Sequence, residues 1–131
     1  MAKIFLSPGE TVTVADNGSQ VYGTTANRNE TVRVEAGIGT VHLDANVDRV
    51  DLSGVYSDYT FEYVSGSGLT IFKKDGTTAV ANFPNNINWD VKLAFVDGAA
   101  TLHQTNATGF TLGGNSISTT TAGTVSNVTL N

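Results

Sequence analysis

The chain has 131 residues, a formal net charge of −5 and only 15% charged residues, against about 25% in ordinary soluble domains. This length fits a single domain, residues 1–131, that is large enough for a sizeable core. Basic residues cluster no further than Lys73-Lys74, which excludes a nucleic-acid-binding face, and no apolar run is long enough for a membrane span. Cysteine is absent, which excludes disulfides and thiol catalysis.

The first predicted elements are short strands separated by tight turns. Residues 3–14 contain two strands around Ser7-Pro8-Gly9, where Gly9 can supply the positive φ of a type II turn. Residues 16–19 contain an Asn-Gly pair, which favours the left-handed conformations of a tight hairpin, and a strand follows at 20–22. Residues 23–29 then form a polar loop.

The stretch 30–54 contains three short runs in which apolar and polar residues alternate. Alternation with a period of two places one set of side chains on one face of a strand. The apolar positions of the three runs are Val32 and Val34, Val41 and Leu43, and Val50 and Leu52. Because three strands of this length cannot bury their apolar faces alone, we expect them to stack or pair with neighbours.

Longer strands follow Gly54, joined by turns at 65–68, Asp75-Gly76 and Asp97-Gly98. Consecutive hairpins of this kind form a meander. The predicted core residues are Phe61, Ile71, Leu93 and Phe95. No helical period is sustained anywhere, so the sequence predicts an all-β fold: a short-strand β-sandwich or a β-solenoid-like domain built from hairpins and meanders. We expect a solenoid-like first half and a sandwich-like second half.

The segment 47–102 resembles a module of bacterial surface proteins. Its signature consists of residues 47–52 (Val-Asp-Arg-Val-Asp-Leu), residues 58–61 (Asp-Tyr-Thr-Phe), a Gly-bounded strand with an Asp-Gly hairpin, and residues 93–102. Similar segments border the calcium-binding repeats of RTX, hemolysin-type proteins. The repeat Gly-Gly-x-Gly-x-Asp is itself absent; residues 113–115 come nearest and lack the aspartate. The resemblance implies an adhesin-like or S-layer-like protein at the bacterial cell surface, exported by type I secretion without an N-terminal signal peptide.

Four aspartates are candidate ligands for calcium. Asp44, Asp48 and Asp51 lie within eight residues, and Asp58 follows. Calcium takes several oxygen ligands from flexible carboxylates, so this spacing fits a calcium site. The alternative is a solvated strand face.

The remaining chemistry-bearing residues do not form a recognisable catalytic set. His42 and His103 both occupy strand patterns, and the sequence has no nucleophile elbow, zinc-binding helix or phosphate-binding loop. The glutamates are scattered over strand positions that we expect to be exposed: Glu10, Glu30, Glu35 and Glu62. We therefore expect no enzymatic activity. Trp89 and Tyr56 are candidates for stacking on a sugar, although Trp89 is also suited to filling the space between two sheets.

Both ends of the chain carry candidate assembly segments. Residues 116–124 form a Ser/Thr-rich run that we expect to be a flexible tether for an uncharged segment containing Val125, Val128 and Leu130. Such a segment can pair with an open sheet edge in its own subunit or in a neighbour. Ile4 and Phe5 form a similar short strand. The sequence therefore predicts an extracellular structural protein that self-associates into a homo-oligomer or polymer, such as a filament, S-layer-like lattice or matrix. The alternative is an adhesin module that binds surface polysaccharide.

Overall fold

A computed structural model shows the protein as two β-sheets that enclose one core. The structure describes residues 2–25, 29–64, 67–85, 87, 90–106, 109–117, 121–125 and 128–131. The elements are β1 (Lys3–Phe5), β2 (Thr11–Val14), β3 (Gln20–Tyr22), β4 (Thr31–Val34), β5 (Val41–Leu43), β6 (Arg49–Asp51), a 3-10 turn (Tyr56–Asp58), β7 (Tyr59–Val64), β8 (Gly68–Lys73), β9 (Ala79–Phe83), β10 (Val91–Phe95), β11 (Gly98–Asn106), β12 (Gly109–Leu112) and β13 (Asn115–Ser116). The predicted all-β fold is confirmed. None of the described helical residues forms a segment long and apolar enough to cross a membrane.

The first six strands form three coils, each of which contributes one strand to each sheet. Sheet A has the order β1-β3-β5-β9-β8-β7, and sheet B has the order β2-β4-β6-β10-β11-β12-β13. Strands of successive coils pair in parallel, with Ile4 opposite Val21 in sheet A and Val12 opposite Val32 in sheet B. The solenoid-like first half is therefore present in the structure.

One predicted connection is wrong. The chain does turn at Asn17-Gly18, where Gly18 has φ 72°, but β2 and β3 do not form a hairpin. They belong to different sheets, because the turn carries the chain around the edge of the core instead of back along the same sheet. By contrast, the turn at Ser7-Pro8-Gly9 has the predicted form, with Gly9 at φ 78° and the Glu10 N–H donating to the Ser7 carbonyl at 3.0 Å.

The second half is built from antiparallel hairpins. β7, β8 and β9 form a meander in sheet A, and β10 to β13 form another in sheet B. The predicted hairpins at Asp75-Gly76 and Asp97-Gly98 are both present. Each meander continues the solenoid half through one parallel contact, β9 against β5 and β10 against β6.

The core lies between the sheets and follows the alternation of the sequence. All six apolar positions of the stretch 30–54 are buried, and so are Phe61, Ile71, Leu93 and Phe95. Aromatic rings concentrate in the second half, where the Tyr63 and Phe110 rings lie 5.0 Å apart. The core prediction is confirmed.

The last residues contact both sheets of their own subunit. We call the described residues 121–125 and 128–131 the C-terminal strap. The strap meets the outer edge of β7, where Gly123 and Phe61 exchange two backbone hydrogen bonds. It then buries Val125 and ends beside β11, where Asn131 and Ala99 exchange two more, at 2.9 and 3.2 Å.

Candidate functional site

One end of sheet A is strand β1, whose outer edge has no partner in the described part of the chain. On the inner side, the Ala2 carbonyl accepts from the Gln20 N–H at 2.7 Å, and the Leu6 N–H donates to the Tyr22 carbonyl at 2.9 Å. Backbone groups along a strand point alternately to its two sides. Lys3 and Phe5 therefore direct their N–H and C=O groups outward.

Sheet B ends in the same way at β2. The Glu10 carbonyl accepts from the Thr31 N–H at 3.0 Å, and the Val14 carbonyl accepts from the Glu35 N–H at 3.2 Å. By the same alternation, Thr11 and Thr13 direct their backbone groups outward. We call β1 and β2 together the open end of the molecule.

The core is exposed between the two free edges. Ile4 and Val12 point inward and pack against the core, but both stay half-buried. Their register partners one coil further in, Val21 and Val32, are 1% and 0% exposed. The first coil covers the second and the second covers the third, but no coil covers the outer side of the first among the described residues. A strand added at each edge would supply the missing cover.

The edge strands of the open end carry few of the residues that usually prevent strand pairing. Phe5 is 72% exposed, and one face of its ring stacks on Tyr22 at a centroid distance of 4.9 Å. Edge strands of monomers are commonly guarded by charge, proline or bulges. β1 carries one charge, at Lys3, and β2 has the uncharged sequence Thr-Val-Thr-Val. Ile4 and Phe5, predicted as assembly residues, thus lie on a weakly guarded edge.

The other predicted assembly residues lie against their own subunit. Val125 is buried, and its carbonyl accepts a hydrogen bond of 2.6 Å from the Tyr56 hydroxyl. Val128 and Leu130 are half-buried, next to Gly113 and Gly98 respectively. The described residues of the strap form no regular strand, although Gly123 and Asn131 each pair with a sheet edge. Exchange of this segment between subunits stays a prediction.

The four aspartates predicted as calcium ligands have separate partners. Asp44 accepts from the backbone N–H of Gly23 and of Asn46, at 3.1 and 3.0 Å, and Asp48 accepts from that of Glu30 at 3.0 Å. The bonds from Gly23 to Asp44 and from Glu30 to Asp48 join the second and third coils at one corner.

The other two aspartates of that set lie elsewhere. Asp51 pairs with Arg49 at 2.7 Å and with Arg33 at 3.5 Å, and Asp58 accepts from the Val55 N–H at 3.2 Å in the 3-10 turn. Across the described residues, no three acidic or histidine side chains are grouped to hold a metal ion. Calcium binding stays a prediction.

The prediction that all four glutamates are exposed is wrong for Glu30. Glu30 is not on an exposed position; it is fully buried at the start of β4. Its carboxylate accepts from the Thr24 N–H at 2.5 Å, from the Thr24 hydroxyl at 3.1 Å and from the Asn29 N–H at 3.4 Å. Burial raises the pKa of Glu30, but hydrogen bonds from Thr24, Asn29 and Gly9 together outweigh it and leave the pKa below its ordinary value. Glu30 therefore links Thr24 and Asn29 to the start of β4.

Of the two residues predicted to stack on a sugar, the structure describes Tyr56 but not Trp89. The Tyr56 ring packs on its own chain, edge-on to Phe95 at 5.2 Å and stacked on Phe61 at 6.1 Å. Burial raises the pKa of its hydroxyl, which donates to Val125. Tyr56 therefore joins the 3-10 turn to the strap. Trp89 lies outside the described residues, and its role in sugar binding stays a prediction.

The two histidines lie on exposed surfaces. His42 faces outward from β5, and His103 Nδ1 lies 2.6 Å from Asp90 Oδ1, with both side chains more than half exposed. A pair this open to water is screened and contributes little to stability.

Comparison of the chain with protein-family profiles, with curated proteins and with solved structures gives no match. The described residues form an all-β protein with two mixed sheets, and at one end of both sheets the outer edge strands, β1 and β2, have no partner among those residues.

Proposed function

We propose that the protein is an extracellular structural protein that assembles with copies of itself through the open end. The observation that supports this is the coincidence of two free edges with an exposed part of the core. Four residues direct backbone groups outward (Lys3, Phe5, Thr11 and Thr13), and two half-buried side chains lie between them (Ile4 and Val12). An end of this kind is a template for added strands.

The energies of association favour contacts that use both edges together. Each outward residue has one N–H and one C=O, and a hydrogen bond contributes about 0.5–1.5 kcal/mol net. Association costs roughly 4–15 kcal/mol in lost freedom of motion. The four bonds that the two outward residues of one edge can make contribute about 2–6 kcal/mol, which covers only the lower end of this cost. Bonds along both edges, with burial of Ile4, Val12 and Phe5 at about 25 cal/mol per Å² of apolar surface, reach it.

The resemblance to RTX-type surface modules supports the location. It favours a protein at the cell surface or outside the cell that needs no N-terminal signal peptide. A low-charge surface rich in Thr, Ser and Asn fits a structural role better than an enzymatic one.

Sedimentation velocity and electron microscopy of the purified protein test the proposal. Thr13→Pro removes a backbone donor that faces outward and spares the bonds of β2 to β4, and proline is tolerated on such an edge. We expect this variant to keep its circular-dichroism spectrum and to lose its assemblies. Thr13→Val, which keeps the N–H, is the matched control and should assemble like the parent. A folded Thr13→Pro protein with unchanged assemblies would contradict the proposal.

A further inference from the structure

We infer that the open end binds the open end of a second copy about a two-fold axis, with β1 antiparallel to β1 and β2 antiparallel to β2. This inference rests on the proposed self-association and names its partner and register. An open edge needs another open edge. The far edge of sheet A does not provide one at its centre, because Phe61 on β7 is already paired with Gly123 of the strap.

The alternation of backbone groups selects the register. In an antiparallel pair, residues that exchange hydrogen bonds must both direct their groups toward the partner. Centring the axis on Ile4 places Lys3 opposite Phe5 of the second copy and makes both outward residues bond. An axis centred on Lys3 would place the Lys3 side chains of the two copies opposite each other, with like charges. An axis centred on Phe5 would place Phe5 opposite Phe5 and leave Lys3 without a partner in β1 of the second copy. The register centred on Ile4 is therefore favoured.

The same axis fits sheet B. Centring on Val12 places Thr11 opposite Thr13 of the second copy, and cross-strand threonine pairs are favourable. Ile4 and Val12 are the half-buried inward residues of the two edge strands and belong to one core. An axis perpendicular to the sheets brings these residues of both copies together. The exposed part of each core is then covered by the other.

Side-chain chemistry agrees with this register. Phe5 has one ring face on Tyr22 and is 72% exposed. The Lys3 ammonium of the second copy lies beside this ring in the proposed pair, which is a cation–π arrangement. A closed two-fold contact gives a dimer and does not extend by itself. A longer polymer needs a second contact, for which the strap is the candidate.

Reversal of charge at Phe5 tests the register. Phe5→Glu places a carboxylate opposite Lys3 of the second copy, whereas Phe5→Lys places two ammonium groups opposite each other. We expect the dimer dissociation constant of Phe5→Lys to exceed that of Phe5→Glu by at least tenfold at low salt, measured by sedimentation. The net charge of −5 would give the opposite order, because Phe5→Glu adds to it. Val96, 71% exposed in the β10–β11 turn, supplies the controls Val96→Glu and Val96→Lys, which should differ by less than twofold from each other. Equal or reversed constants for the Phe5 pair would overturn the register.

A cross-link at Ile4 gives an independent test. The chain has no cysteine, so Ile4→Cys introduces a single thiol. Facing residues of a non-hydrogen-bonded antiparallel pair have Cα atoms about 4.5 Å apart, within the range of a disulfide. Mild oxidation should link most of the Ile4→Cys protein into dimers and leave Val96→Cys monomeric on a denaturing gel.

The outcomes separate the two proposals. Assemblies that Thr13→Pro abolishes, combined with no cross-link at Ile4→Cys, would overturn the two-fold register and leave self-association through the open end standing. A parent protein that stays monomeric at all concentrations tested would overturn both.

Discussion

Phe61 and Gly123 exchange two backbone hydrogen bonds, of 2.9 and 3.1 Å, at the outer edge of β7. This pair makes the two ends of sheet A unequal. At one end the strap covers the central residue of the edge, and at the other end Lys3 and Phe5 have no such cover among the described residues. The strap therefore leaves β1 as the less covered of the two edges of sheet A among the described residues.

The first prediction concerns the packing of the strap against its own subunit. Val125→Ala removes two buried methyl groups and should lower the free energy of unfolding by about 2 kcal/mol, measured by urea denaturation. Thr129→Ala, at an exposed strap position, should change it by less than about 0.5 kcal/mol. If both substitutions were neutral, Val125 would not be packed as the structure shows.

The second prediction uses Gly98, which begins β11 with φ 142°. A methyl group added there would lie 2.7 Å from Leu130 Cβ, so Gly98→Ala should displace the strap and cost more than about 1 kcal/mol. Gly37→Ala is the control, because its φ is 80° and no atom lies within 4 Å of the added methyl group. In a protein that lacks residues 125–131, Gly98→Ala should lower the free energy of unfolding by less than it does in the full chain. Additive effects of the two changes would argue against contact between Gly98 and the strap.

The third prediction is a loss of stability in acid through Glu30. The folded-state pKa of Glu30 lies below its ordinary value, because hydrogen bonds to the carboxylate outweigh burial. A depressed pKa contributes stability above the unfolded pKa, about 4.3, and this contribution is lost as the pH falls through the folded pKa. Melting temperatures of Glu30→Gln should therefore depend less on pH below about 4.5 than those of the parent. Parallel curves for the two proteins would remove Glu30 as the cause.

The fourth prediction concerns Asp75 in the β8–β9 turn. The Thr78 hydroxyl, at 2.5 Å, and the backbone N–H groups of Thr78 and Thr77, both at 2.8 Å, lower the pKa of Asp75 to about 2. Thr78→Val removes the largest of these contributions, so an NMR titration should show the pKa of Asp75 rising toward its ordinary value. Thr77→Val leaves the principal hydroxyl contact in place and should produce a smaller rise. An Asp75 pKa that ignores Thr78→Val would contradict the turn geometry.

The fifth prediction tests calcium. If Asp44 and Asp48 contribute to a site, millimolar calcium should raise the melting temperature by mass action. Asp48→Asn should abolish that rise while its amide oxygen still accepts from the Glu30 N–H, so that the fold is kept. Melting curves that respond neither to calcium nor to chelator would leave these aspartates as acceptors that join two coils.

Local patterns predicted the strands and their buried faces well. The positions of Val32 and Val34, or of Phe61, follow from an alternation that every strand imposes on its own side chains. The turn at Asn17-Gly18 was also predicted, but not the sheet that its following strand enters. Turn residues specify how the backbone reverses, whereas the choice of partner strand depends on the packing of distant segments.

The burial of the Glu30 carboxylate and the attachment points of the strap could not be predicted, because both depend on the packing of distant segments. Glu30 is accommodated by amide groups of Gly9, Thr24 and Asn29, which the fold brings together. The strap was predicted as a candidate for edge pairing, but its points of attachment, Phe61 and Ala99, carry no signal in the sequence.

The corner bonds that Asp44 and Asp48 make have a consequence for the size of the molecule. The third coil holds the second by parallel pairing and by the carboxylates of Asp44 and Asp48 at the corner. The second coil holds the first by parallel pairing and by the Glu30 carboxylate, which accepts from the Gly9 N–H. None of these contacts involves the meanders. Duplication of a coil would therefore lengthen both sheets by one strand spacing, about 4.8 Å, and leave both termini of the stack unchanged. The width of both sheets in this protein is therefore set by the number of coils and not by the residues at the two ends of the stack.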